Sequence, residues 1–178
     1  QVVRGTAEVL APTEKISHMA EVHRPLVSID NKHERYQQML SMVKGLEPIP
    51  TAVAHPCDKE SLKGPVIAFQ EGIIEPILVG PEAKIRSVAE EFGIDLHGIR
   101  IVNARHSHDS AAISVSLVRT GDAEALMKGS LHTDELMGEV VSRANGLRTA
   151  RRISHVFLMN VPTYHRPLLI TDAAINIA

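Results

Sequence analysis

From residue 31 onward the apolar positions follow two alternating patterns, short continuous runs and stripes spaced by three or four. Tyr36, Met39, Leu40 and Val43 lie on one face of a predicted helix, opened by a capping box of Asn31 with Glu34 and closed at Gly45. Thr51 to His55 reads as a strand ended by Pro56, and Asp58 can cap the helix that follows, in which Leu62, Val66 and Phe69 share a face. Pro65 removes a helical hydrogen bond, so the regular part of that helix is expected to start at Ser61–Lys63. Glu75 to Val79 is a second strand, and Gly80-Pro81 leads into a helix with Ile85, Val88, Ala89 and Phe92 inward and Gly93 at its end. Arg100 to Ala104 is a third. Asp109 or Ser107 then caps a helix through Arg119, with Ala111, Ala112, Val115 and Val118 inward and Gly121 closing it. Ala125 to Met127 forms a fourth strand that breaks at Lys128-Gly129 and enters a helix capped by Thr133, with Leu136, Val140, Val141 and Ala144 buried. His155 to Val161 and Pro167 to Thr171 are two last strands. Their connection is too short for a crossover helix, so they are expected to pair as a hairpin.

The repeated strand–helix order after residue 48 predicts an α/β fold, a mainly parallel sheet with helices on both faces. Its strands are short apolar runs, as expected where both faces are covered. In such sheets ligands gather at the carboxyl ends of the strands, a rule that puts His55–Cys57, Gly80, Asn103–Arg105 and Lys128–Thr133 on one rim. At the last of these, a strand end meets a helix N-terminus, with Lys128, Gly129, Ser130 and Thr133 in between. Unpaired N–H groups, the helix dipole and a full positive charge suit a phosphate-bearing ligand there; the alternative is an ordinary turn with a solvated lysine.

Composition narrows the function classes. A length of 178 residues with 44% hydrophobic and 22% charged positions suits one globular domain or slightly more. The net charge of -2 and the absence of Trp argue against nucleic acid or an anionic membrane as partner. The single cysteine, Cys57, cannot form an internal disulfide, and a cytoplasmic location is expected. No apolar run approaches spanning length. The chain begins with Gln1 and ends in Ile175-Asn176-Ile177-Ala178, and it is expected to be a piece of a longer protein. Residues 1–25 differ from the rest: Val2, Val3, Ala7, Val9 and Leu10 alternate with polar positions as in one strand, followed by a linker.

Motifs for nucleotide triphosphates, dinucleotides, a serine nucleophile elbow and a zinc protease are all missing. His106-Ser107-His108-Asp109 is the densest group of metal-type ligands, but no second cluster stands at ligand spacing, and a polar turn capping a helix explains it; no metal is expected. Cys57 has no evident base beside it. Arg148, with Arg151 and Arg152, forms a basic connection that either forks onto a phosphate or is a solvated turn. Asp172, with Asn176 four residues on, could orient an arginine, act as a base or cap a turn.

Three blocks, Leu126-Met127-Lys128-Gly129-Ser130-Leu131-His132-Thr133, then Gly146-Leu147-Arg148-Thr149 with Ser154-His155-Val156, then Ile170-Thr171-Asp172-Ala173-Ala174-Ile175-Asn176, resemble the phosphate acetyltransferase and phosphate butyryltransferase family. Pro76-Ile77-Leu78-Val79-Gly80 also fits it. The likeness covers about residues 26–178. Val3-Arg4-Gly5-Thr6-Ala7-Glu8-Val9 and Ala11-Pro12-Thr13-Glu14-Lys15 resemble, over a shorter stretch, the last strand of a MaoC-like enoyl-CoA hydratase, so the combination looks like the junction of a bifunctional enzyme.

The resemblance implies a two-domain fold like that of isocitrate and isopropylmalate dehydrogenases, truncated here at the C-terminus. The division would be 1–25 as hydratase tail and linker, 26–145 as the first acyltransferase domain and 146–178 as the start of the second. It implies acyl-CoA plus phosphate giving acyl phosphate plus CoA, with CoA and phosphate as substrates, no cofactor, and a homodimer or higher homo-oligomer. Lys128, Gly129, Ser130, Thr133 and Arg148 would bind phosphate or the acyl group, with Asp172 and Asn176 as further candidates; the residues acting on the thiol would lie beyond Ala178. Acetate-specific members tend to carry an arginine in the helix after the His-Thr block. Leu136-Met137-Gly138 stands there instead, which suggests the butyryltransferase-like branch. The alternative outside this chemistry is a non-catalytic α/β module binding a phosphorylated metabolite.

Overall fold

The computed structural model describes residues 31–161, 164 and 166–172. The strand and linker expected in residues 1–25, the Asn31 side chain of the capping box, and Asn176 lie outside the described residues and side chains. The elements run α1 (Asn31–Val43), β1 (Ile49–Ala54), α2 (Lys59–Gln70), β2 (Ile74–Gly80), α3 (Glu82–Phe92), β3 (Arg100–Asn103), α4 (Ser107–Thr120), β4 (Ala125–Lys128), α5 (Thr133–Val140), β5 (Val156–Met159) and β6 (Leu168–Thr171).

Four strands form a parallel sheet in the order β3-β2-β1-β4. Strand faces alternate, and the core divides accordingly. Val53 and Leu78 point to one side, against Leu62 of α2 and Ile85 and Ala89 of α3. Ala52, Ala54, Ile77 and Val79 point to the other, where Ala111 and Val115 of α4 and Leu136 of α5 pack. Leu78 and Ile85 are fully buried, each contributing about 1.5–3 kcal/mol of transfer free energy. Pro76 is tolerated in a central strand because β3 joins only from Ile77 onward, so the missing N–H breaks no ladder bond there.

Several sequence expectations need correction. α2 starts at Lys59, two residues before the expected Ser61–Lys63, because the Asp58 carboxylate and Ser61 close a full capping box; Pro65 then lies buried inside the helix. The helices after β3 and β4 are capped by His106 and His132, not by Ser107, Asp109 or Thr133. On α4 the buried positions are Ser110, Ala111, Ser114 and Val115, while Ala112 is exposed. Serine can replace an apolar residue on this face because the Ser114 hydroxyl donates to Ser110 O at 2.7 Å, satisfying itself within the helix. Phe92, 42% exposed, lies under the Lys59 ammonium rather than in the core. α5 ends at Val140, which leaves Val141 and Ala144 exposed. Of the α1 stripe, Leu40 is buried and Met39 half-buried, whereas Tyr36 and Val43 are exposed.

β5 and β6 pair antiparallel as a separate two-stranded sheet, so the hairpin expectation holds. Arg35 of α1 reaches the end of β5 and the connection beyond, donating to Asn160 Oδ1 at 3.2 Å, Val161 O at 3.2 Å and Tyr164 O at 2.7 Å. No helix among the described residues is long and apolar enough to cross a membrane.

Candidate functional site

β2 and β3 lie on one side of β1 and β4 on the other, so the order in which strands are added reverses between β1 and β4 while both run parallel. The crevice outside the carboxyl ends of these two strands is the favoured ligand position in such folds. Two turns fill it, His55-Pro56-Cys57 after β1 and Gly129-Ser130 after β4, and they are tied together through one carbonyl. His55 O accepts from Ser130 N at 2.9 Å, from Ser130 Oγ at 2.8 Å and from Cys57 N at 2.9 Å, while Cys57 N also approaches Ser130 Oγ at 3.2 Å. His55 itself has φ 57°, the left-handed region that a non-glycine residue adopts only under local constraint. Gly129 has no alternative at its position: a Cβ there would lie 2.3 Å from Ala54 O and 2.6 Å from His55 O.

A cleft of about 480 Å³ opens over this knot, lined by His55, Cys57, Asp58, Lys84, Ser107, Ser130, Leu131, His132 and Glu135. The His55 ring is held from behind, its Nδ1 3.0 Å from Ser110 Oγ. The Ser110 hydrogen goes to His106 O at 2.8 Å, so the serine oxygen must accept, Nδ1 carries the imidazole proton, and Nε2 of the neutral ring is an acceptor. Burial, followed by the charge of Lys84, lowers the His55 pKa from the ordinary value of 6.5. Burial also pushes the Cys57 thiol up, which keeps it protonated and poorly nucleophilic.

His55 binds a proton more readily in the unfolded chain, so the stability present above the unfolded value of 6.5 is lost as pH falls through the folded one. Denaturant midpoints should therefore drop between neutral pH and the acid side of 6.5, and the drop should shrink in His55→Asn, whose side chain tolerates positive φ. An unchanged slope in that variant would assign the pH dependence to other groups.

Glu135 organises the far wall. Its carboxylate accepts from Ser107 Oγ at 2.8 Å and from His132 N at 2.9 Å, and His108 Nε2 lies 3.2 Å away. The Ser107 bond first, then the His132 N–H, holds its pKa below the usual carboxylate range. One side chain thus joins the N-termini of α4 and α5. Asp58 is similarly committed to Ser61 N at 2.8 Å, which depresses its pKa.

Of the residues singled out from sequence, Ser130 lines this cleft. Lys128 ends β4 with an exposed side chain, Nζ 3.3 Å from Gly129 O, outside the lining. The Gly129 and Ser130 N–H groups donate to Ala54 O and His55 O, so they hold the two turns together and are not open to an anion. Thr133 is the exposed first residue of α5. Arg148 belongs to a different cleft, of about 640 Å³, with Val140, Leu147, Thr149, Arg151 and Arg152. Asp172 follows β6 directly, at φ 57°, and accepts from Ser154 Oγ at 2.7 Å. Asn176 lies outside the described residues. His55, Lys84, Ser107, His132 and Glu135 were not among the site residues singled out from sequence; the carboxyl-end rule already reached His55 and, within Lys128–Thr133, His132, and only the strand order could add Lys84. Among the described residues no three His, Cys, Asp or Glu side chains converge as a metal site.

No family model matches the chain. Curated relatives do. It is 53% identical over 148 residues to a phosphate acetyltransferase of Rickettsia prowazekii, covering 83% of this chain and 42% of that protein. It is 56% identical over 143 residues to a phosphate acetyltransferase of Rhizobium meliloti, covering 80% and 45%. A phosphate butyryltransferase of Clostridium acetobutylicum is 34% identical over 141 residues, covering 79% and 47%. The chain thus spans less than half the length of these relatives. Identity is higher to these two acetyltransferases than to this butyryltransferase. Among solved structures, a phosphotransacetylase from Streptococcus pyogenes shares the fold with a TM-score of 0.66 at 18% identity, over 82% of this chain and 53% of its own. Sequence identity and common fold together place the matched part of this chain in the phosphate acetyltransferase/phosphate butyryltransferase family.

Proposed function

We propose that the chain is part of a phosphate acyltransferase that interconverts acyl-CoA plus phosphate with acyl phosphate plus CoA, for an acetyl or other short acyl group. The observation that carries this reading is the 53% and 56% identity to phosphate acetyltransferases over four fifths of the chain. In the direction of acyl-CoA synthesis, the CoA thiolate attacks the acyl-phosphate carbonyl carbon. The C–S bond forms, a tetrahedral oxyanion collapses, and the C–O bond to phosphate breaks, releasing phosphate. CoA and phosphate are substrates, and no cofactor takes part. The protein must hold both reactants in line and neutralise phosphate charge. Lys128, Ser130, Thr133 and Arg148 are of the right chemical type for the second task, Asp172 and Asn176 for orienting partners, and Gly129 for bringing the β4 turn close to β1.

The chain spans under half of its relatives' length, so we infer that the groups acting on the thiol lie in the part of the family not represented here. The likeness of residues 1–25 to a MaoC-like hydratase supports the further reading of a bifunctional enoyl-CoA hydratase/phosphate acyltransferase. Assays on the full-length protein test all of this at once. Acetyl-CoA or butyryl-CoA plus phosphate should release CoA, crotonyl-CoA should be hydrated, and the 178-residue chain alone should do neither. Phosphate binding without acyl transfer in the full-length protein would favour a non-catalytic module, and turnover by the short chain would sink the half-site reading.

A further inference from the structure

We propose that Lys84 is a phosphate-binding cation of the cleft over β1 and β4, a role that rests on the phosphate acyltransferase reading. Lys84 lies in the first turn of α3, on the loop side of β2, and lines the cleft with His55, Ser130 and His132. It is far in sequence from the Lys128–Thr133 block that carries the family likeness, and the strand order alone brings it there.

Most charges around the cleft are already committed to partners. Of the nearby cations, Arg86 pairs with Glu82 at 2.8 Å and Arg105 with Asp109 in a two-pronged contact, while Lys128, whose charge is felt at Asp58, reaches only Gly129 O and stands outside the lining. Both carboxylates of the cleft are also occupied, Asp58 by Ser61 N and Glu135 by Ser107, His108 and His132 N. Among the described residues the Lys84 ammonium makes no ion pair or side-chain hydrogen bond, although its charge is felt at both His55 and Cys57. A cation at the mouth of a cleft, with no local partner, is suited to a tetrahedral oxyanion. The first-turn N–H of α3 adds no competing anion site, since Asn103 Oδ1 accepts from Glu82 N at 3.0 Å. The α3 backbone therefore positions Lys84 while its side chain supplies the charge.

The test is a titration of the 178-residue chain with inorganic phosphate, followed by amide chemical shifts. Wild-type protein should show saturable shifts at His55, Ser130 and Lys84. Lys84→Gln should weaken binding about tenfold, the loss expected for one charge-assisted contact. Lys84→Arg should restore most of it, and Lys44→Gln, an exposed turn residue just past α1 and outside the cleft lining, should bind as wild type. Binding by Lys84→Gln equal to wild type overturns the role of Lys84 while leaving the acyltransferase reading intact. No saturable shift in the wild-type chain removes phosphate from this cleft altogether, and Lys84 with it; acyl transfer by the full-length protein is judged separately by its own assay.

Discussion

Gly129→Ala should abolish the native sheet or cost about 3 kcal/mol or more, read as a fall in the urea midpoint. The obstacle is backbone and not a side chain that could swing away. A methyl group would sit 2.3 Å from Ala54 O, 2.6 Å from His55 O and 2.7 Å from the His55 carbonyl carbon. Relief would require β4 to move off β1, which would break Gly129 N to Ala54 O and Ser130 N to His55 O, two bonds of 2.8 and 2.9 Å. The same movement would open the cleft floor. The variant should therefore lose ligand binding with its stability, and a soluble, wild-type-stable Gly129→Ala protein would show that the close approach of the two turns is not as tight as described.

Glu135→Ala should be the second large effect, about 1.5–3 kcal/mol of stability from the loss of charge-assisted hydrogen bonds. Two donors lose their acceptor at once, Ser107 Oγ and His132 N, and His108 Nε2 loses the carboxylate 3.2 Å away. α5 has only eight residues and cannot hold itself together without tertiary contacts. Leu136 would still anchor it against Ala54 and Val115, so local loosening rather than global unfolding is expected. Hydrogen exchange should accelerate at the first turn of α5 and at the start of α4, while β1 and β2 keep their protection. Glu135→Gln should be milder, since its carbonyl can still accept from Ser107. Equal protection of α5 in wild type and Glu135→Ala would refute the clasp.

The parallel sheet was readable because β1 and β2 are buried on both faces and so appear as unbroken apolar runs, Thr51 to Ala54 and Ile77 to Gly80. The glycines at the ends of α3 and α4 were readable for a related reason: Gly93 and Gly121 have φ of 61° and 84°, a conformation that penalises a side chain. What stayed hidden was polar. Ser110 and Ser114 are fully buried, yet hydrophobic periodicity cannot see a serine that satisfies itself by bonding back along its own helix. His106 took the cap of α4 from two better cap formers because its Nδ1 accepts from Asp109 N while Asp109 turns to Arg105.

The site was half legible. Ser130 and Gly129 announced themselves through the strand–turn–helix pattern, and the rim rule reached His55–Cys57. Lys84 and Glu135 could not be found that way. One reaches the cleft from the helix after β2, the other through a partner in α4, and both depend on which strands become neighbours. The Gly129 and Ser130 amides show the converse. A turn that looks like an open anion cradle in sequence is closed in three dimensions, because the carbonyls of β1 and of the turn after it already occupy its donors.

The strand order also governs how the molecule is assembled. β1 meets β2 across Ile49 and Ile74, and β2 meets β3 across Ile77 and Arg100, each bridging a single crossover. β1 meets β4 across Thr51 and Ala125, closing a loop that contains two intervening strands and three helices. Loop closure makes this pairing the most entropically demanding of the three. The cleft has its floor only in that last contact, so a chain that has folded β1 to β3 still lacks a binding site. Ligand affinity then reports on completed topology, and any ligand held there stabilises the pairing that the chain finds hardest to make.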